Sequence, residues 1–152
     1  MGRVTLGWLL VLVQFVLLIG LILLPWRDPS LLSLVLGAVL LLAGMAVFIA
    51  AVRALGSALT PTPVPIAGSS LRTGGLYRYV RHPIYSGVLL MVLGLLVAVG
   101  SWVGWAWGGL ILVFFVGKSR WEDRLLAEAY GQEWATWSAR TGAMVPRLRR
   151  AR

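Results

Sequence analysis

The chain has no cysteine, one histidine (His82), and only five acidic side chains in 152 residues. Without thiols, disulfides, thiolate-bound metals and a cysteine nucleophile are all excluded. One imidazole and five carboxylates leave no basis for a dedicated metal centre, so no metal is expected. Charge of either sign is scarce. Asp, Glu, Lys and Arg together make up 12% of the chain, about half the roughly 25% of a soluble domain. P-loop, nucleophile-elbow and dinucleotide glycine patterns are missing too. What remains is apolar, 59% of all residues. A single membrane domain covering residues 1–152 is the expectation.

The net charge of +9 raises the question of nucleic acid, and the placement of the charge answers it. Eight of the fourteen basic residues lie at or after Lys118, and four more lie from Arg53 to Arg81. These segments flank apolar runs, where Lys and Arg report topology and meet anionic lipid headgroups. No nucleic-acid-binding motif accompanies them. Membrane lipid is the expected neighbour and no nucleic-acid partner is expected. The chain carries no signal of oligomeric state.

The first apolar run, 4–26, is interrupted only by Gln14 and closes on Pro25-Trp26-Arg27-Asp28-Pro29. A cleavable signal peptide is the competing assignment, but the run is long and lacks a small-residue cleavage site. It is expected to span the membrane. A second span is expected over 31–55, capped by Ser30 and offering Gly37 and Gly44 for close helix packing. Pro61, Pro63 and Pro65 then predict an extended loop. Pro83 begins or ends a helix, and a short third span follows over 84–99. Gly100-Ser101 makes an uncharged turn into a fourth span, 102–117, which opens on Trp102, Trp105 and Trp107. From Lys118 the chain changes character. Trp121, Leu125, Leu126, Ala129, Trp134 and Trp137 recur at helical spacing among charges, predicting an amphipathic cytoplasmic helix broken near Gly131. A basic tail, 147–152, closes the chain. The fold expected is an all-α integral membrane protein with about four transmembrane helices and that C-terminal amphipathic helix. The distribution of Lys and Arg places both termini in the cytoplasm.

One polar stretch, Gly74-Gly75-Leu76-Tyr77-Arg78-Tyr79-Val80-Arg81-His82-Pro83-Ile84-Tyr85-Ser86-Gly87, separates the two apolar halves. Glu122-Asp123 lies across the hairpin formed by the third and fourth spans, on the same side. Together they offer hydroxyls, cations and a carboxylate pair, a set suited to a small polar ligand of mixed charge. Each also has a plainer explanation. Arg78 and Arg81 can be interfacial anchors, and Tyr77, Tyr79 and Tyr85 belt aromatics. His82 can cap a helix, and Glu122-Asp123 can be the solvated start of the amphipathic segment.

The run Gly75-x-Tyr77-x-x-x-Arg81-His82-Pro83-x-Tyr85 resembles the signature of isoprenylcysteine carboxyl methyltransferases and related phospholipid methyltransferases. Glu122-Asp123-Arg124-Leu125-Leu126, then Tyr130-Gly131-Gln132-Glu133-Trp134 and Val145-Pro146-Arg147, resembles the same family's acidic pair and C-terminal helix. Leu55-Gly56 and Thr60-Pro61-Thr62-Pro63 resemble the segment before the signature. The likeness covers about residues 53–148. Two positions depart from it. Asp123 stands where the family carries a second Glu, and Lys118 where it carries an Arg.

The resemblance implies methyl transfer from S-adenosylmethionine to a lipophilic small-molecule acceptor (a carboxylate, amine or hydroxyl) in a membrane-embedded site. By the same likeness Leu71, Arg72, Tyr77, Arg81, His82, Pro83, Ile84, Tyr85, Glu122 and Asp123 would contact the cofactor, with Ser69 beside them. Lys118, Glu122 and His82 would serve the reaction, His82 by positioning more than by acid–base work. Two other functions stay open on the sequence: a nicotinamide-dependent membrane reductase of the sterol-reductase type, and a non-catalytic lipid-binding membrane protein. The short Leu/Ala/Gly/Val/Arg-rich chain points to a bacterial inner membrane.

Overall fold

The computed structural model describes residues 2–56, 59, 60, 62, 64 and 70–147. Pro61, Pro63, Pro65, Ser69 and the tail arginines Arg149, Arg150 and Arg152 lie outside these residues. Four helices follow one another: α1 (Arg3–Leu23), α2 (Leu31–Leu55), α3 (Pro83–Val99) and α4 (Trp102–Ser138). A 3₁₀ turn, Gly75–Arg78, precedes α3. The described residues contain no strand, only isolated bridges pairing Trp26 with Gly100 and Val80 with Gly142.

Local chemistry sets the helix ends. Ser30 caps α2 as expected: its hydroxyl accepts from the Ser33 amide at 3.1 Å, and the Ser33 hydroxyl accepts from the Ser30 amide at 3.0 Å. This reciprocal pair satisfies two otherwise orphaned donors. Pro83 takes the first turn of α3, where its missing N–H costs nothing. Ser101 caps α4 through the Gly104 amide.

The core is made by three helices. Leu17 and Leu21 of α1, Val88, Val92 and Leu96 of α3, and Ile111 and Phe115 of α4 pack into one buried cluster. Helix α2 joins differently, laying its backbone against α3. A Cβ added at Gly44 would stand 2.7 Å from the Gly87 carbonyl oxygen, and one at Gly94 would stand 2.7 Å from that of Gly37. The outward faces of α1 and α2 expose Leu, Val, Ile and Phe along their length. Apolar exposure of this extent requires lipid.

Three helices, α1, α2 and α4, are long and apolar enough to cross a membrane. The expected span at 84–99 forms a helix, but its 17 residues reach only about 25 Å, below the roughly 30 Å of hydrocarbon. The expected C-terminal amphipathic helix is not a separate element. It is the far part of α4, a 37-residue helix about 55 Å long. No proline interrupts the chain between Trp102 and Ser138, so the helix runs on past Lys118. Its one departure is at Gly131, with φ 50° and ψ −118°. That left-handed φ is one only glycine adopts without strain, and it places the kink where the sequence predicts a break.

Candidate functional site

The Arg-His-Pro segment is held from behind by the chain after α4. The amides of Arg81 and His82 donate to the carbonyls of Gly142 (2.8 Å) and Ala143 (2.9 Å), and the Gly142 amide donates back to Tyr79. The Ser86 hydroxyl donates to the Met144 carbonyl at 2.6 Å, and Trp137 Nε1 to the Tyr77 carbonyl at 3.0 Å. A loop that would otherwise leave buried backbone groups unpaired is thereby closed into a rigid edge.

The acidic pair meets this edge from α4, and its two carboxylates divide the work. Asp123 accepts from Arg81 Nε at 3.2 Å and from His82 Nε2 at 2.9 Å, and it pairs with Arg81 NH2 at 3.0 Å. The remaining Arg81 nitrogen donates to the Ser138 and Thr141 carbonyls. Glu122 accepts from the Tyr85 hydroxyl at 2.8 Å and lies 3.4 Å from His82 Nδ1. The His82 and Tyr85 rings stack at 5.3 Å, and Tyr85 leans on Phe115. Both His82 nitrogens are therefore committed to carboxylates, which suits positioning and leaves no lone pair for a base.

These groups border a cavity of about 440 Å³, within the range of small-molecule sites. Leu71, Arg72, Tyr77, Arg81, His82 and Ile84 line it from the loop side, with Tyr85 beside them. Lys118 and Glu122 line it from α4. Nine of the predicted site residues thus surround one space. Pro83 and Asp123 do not reach it. Pro83 is buried as the first residue of α3, and Asp123 is turned to Arg81 and His82 behind the wall. Neither side chain borders the cavity among the described residues.

Sequence reasoning missed a second wall. Trp8, Val11, Gln14 and Phe15 of α1 border the cavity, as do Leu126, Tyr130 and Trp137 of α4. Gln14 Oε1 accepts from Lys118 Nζ at 2.6 Å. The interruption of an apolar run by Gln14 was the available signal, but nothing in the sequence named its partner 104 residues away.

Burial alone would lower the His82 pKa, but hydrogen bonds to Asp123 and Glu122 and the charges of both carboxylates prevail, raising it from 6.5 to about 9. Burial, reinforced by the Glu122 charge, also holds the Tyr77 hydroxyl protonated well above its ordinary value. The sign of the His82 contribution follows from linkage. A folded-state pKa above the unfolded one stabilises fully below about 6.5 and is lost as pH rises through about 9. Because His82 is the sole histidine, an ¹⁵N-imidazole titration gives one signal. A midpoint near 9 is expected in the wild type, falling toward 6.5 in Asp123→Asn; an unshifted wild-type midpoint would show that the carboxylates do not hold the imidazolium.

A search of curated proteins returns no match. A family model described as phospholipid methyltransferase matches residues 32–133. That stretch runs from α2 through the Arg-His-Pro edge and the hairpin to Glu122, Asp123 and the kink of α4. It covers two thirds of the chain and both sides of the carboxylate–imidazole contact, and on that ground the protein, an integral membrane chain of apolar helices, belongs to the phospholipid methyltransferase family.

Proposed function

We propose that this protein transfers a methyl group from S-adenosylmethionine to a lipophilic acceptor drawn from the bilayer. The observation that carries the proposal is the meeting of the Arg81-His82-Pro83 edge with Glu122-Asp123 around a cavity that is polar at the loop and apolar toward α1. The lining fits the donor's chemistry. Glu122 offers a carboxylate to an ammonium or to ribose hydroxyls, and Arg72 offers a guanidinium to a carboxylate. Tyr77, Ile84 and Tyr85 supply apolar and aromatic surface beside them.

The donor's sulfonium methyl is already activated, so what the protein must supply is alignment of donor and acceptor. Here the residues act by position. Asp123 and Arg81 fix His82, His82 and Tyr85 fix Glu122, and Phe115 fixes the Tyr85 ring. Lys118 and the α1 wall face the acceptor side. A carboxylate acceptor would need no base, whereas an amine or hydroxyl must lose a proton.

Topology supports entry of the donor from the cytoplasm. Arg3, Arg53, Arg72 and Arg78 sit at the site end of the helices, while Arg27 and Asp28 lie at the other, beside Gly100. On the positive-inside rule we assign the basic end, and with it both termini, to the cytoplasm, and we take the membrane to be a bacterial inner one. The α3 helix would complete a fourth span by lying buried among its neighbours.

Calorimetric titration of the purified protein with S-adenosylmethionine or its demethylated product tests the proposal. Saturable binding of either is expected. Absence of any heat or thermal shift would remove it. A screen of lipid extracts with labelled methyl donor then identifies the acceptor.

A further inference from the structure

Lys118 is the sole lysine in the chain, and it is 5% exposed. It lies sixteen residues along α4 from Trp102, about 24 Å. With the exposed Trp102 at one interface, that depth is inside a hydrocarbon layer of about 30 Å. Buried charges are ordinarily paired, and ionisable groups at membrane depth mark function. Yet no carboxylate lies within ion-pair distance of Lys118 among the described residues. Its described contacts are the Gln14 carbonyl oxygen at 2.6 Å and the face of Tyr85, whose ring centroid is 5.1 Å away. Both are neutral. An ammonium has three donors, so this one is oriented; the Glu122 carboxylate, one turn on, acts on it by charge alone and forms no ion pair with it among the described residues.

Gln14 is equally out of place. It is the one amide in α1, a helix that is otherwise apolar beyond Thr5. It shares the cavity wall with Trp8, Val11 and Phe15. Helix α1 also lies outside the residues that match the family, 32–133, so this wall is built by a part of the chain that the shared stretch does not include.

We propose that Gln14 is a positioning residue that aims the Lys118 ammonium at an anionic head, carboxylate or phosphate, of the acceptor, so that α1 determines acceptor selectivity. The proposal rests on the acceptor side of the function proposed above. A neutral amide fits this role because it fixes the cation without discharging it, as a glutamate would. The charge of Lys118 is left for the ligand, and the apolar stripe of α1 takes the ligand's chain.

The test uses the single lysine. Protein carrying ¹³Cε-lysine in neutral detergent gives one lysine side-chain resonance, titrated with dodecanoate, dodecyl phosphate and uncharged dodecanol. The wild-type signal is expected to shift saturably with an anion and not with dodecanol, and the anion bound more tightly identifies the head group. Gln14→Met should weaken that response about tenfold, the equivalent of one hydrogen bond to a charged group. Gln14→Glu should abolish it by pairing with Lys118 while leaving the thermal midpoint at or above wild type. In turnover, Gln14→Met should raise the acceptor KM with kcat and S-adenosylmethionine affinity unchanged. Wild-type anion titrations in both variants, or an equal response to dodecanol, would overturn the proposal. Loss of S-adenosylmethionine binding by the wild type would instead remove the methyltransferase function and leave the lysine titration standing.

Discussion

Glu122→Gln should lower the affinity for S-adenosylmethionine about ten- to a hundredfold and leave the fold standing. Glutamine keeps the size of the side chain but not its charge, and a hydrogen bond to a charged group contributes about 1.5–3 kcal/mol. Glu122 is on the cavity wall and partly exposed to it, and it touches the protein only through the Tyr85 hydroxyl and His82 Nδ1. Both contacts fall on Oε2, so Oε1 faces a ligand with no described protein contact. Asp123→Asn gives the contrast. Asp123 is off the wall and holds both Arg81 and His82. Removing its charge leaves the half-buried Arg81 guanidinium without its carboxylate, at a cost of about 3 kcal/mol, or about 6–12 °C in the unfolding midpoint. Below that midpoint, binding should stay within a few-fold of wild type. Calorimetry and thermal unfolding on both variants separate the roles. If Glu122→Gln binds normally, the acidic pair does not hold the donor. If Asp123→Asn loses binding without losing stability, the two carboxylates have been assigned the wrong way round.

Much of the site lay in the sequence, though not this division. An apolar chain that spends three of its four tyrosines, its one histidine and two arginines on a dozen residues announces a site. A hairpin with a two-residue turn brings the residues after it back to the residues before it, so His82 and Glu122 could be paired from spacing. Hydropathy could not say which acid faces the ligand, because adjacent helix positions point about 100° apart and nothing sets the phase. It also could not end a helix that continues past the membrane, since turning polar at Lys118 does not break hydrogen bonds. Contacts made at long range were the least legible. The 141–144 segment looks like a loop leading to a tail, yet it donates and accepts along the Arg-His-Pro edge. Gln14 looks like a blemish in a span. These two lie on either side of the residues shared with the family, so a common hairpin is completed here by the chain's two ends.

Gly94→Val should be the most damaging single change to the fold, although Gly94 is far from any ligand. Helix α2 places a single apolar residue, Ala51, among the fully buried side chains. Its attachment is instead a close approach of backbones, Gly37 and Gly44 against Gly94 and Gly87, seven residues apart on each antiparallel helix. Any Cβ at Gly94 would lie 2.7 Å from both the Gly37 oxygen and the Leu41 nitrogen. These are backbone atoms, which cannot rotate away, so the helices must separate. In lipid no hydrophobic effect drives them back together; only close packing does. A loss of about 3 kcal/mol or more is expected, about 6–12 °C in detergent. The damage should reach the site, because Ala54 near the end of α2 packs against Gly75 of the Tyr77 turn, and Leu55 lines the cavity. Donor affinity should fall along with the midpoint. Gly109→Ala is the control, on α4 with nothing within 4 Å of its added Cβ; it should leave both unchanged. Gly94→Val with a wild-type midpoint would mean that α2 is held by something other than its glycines.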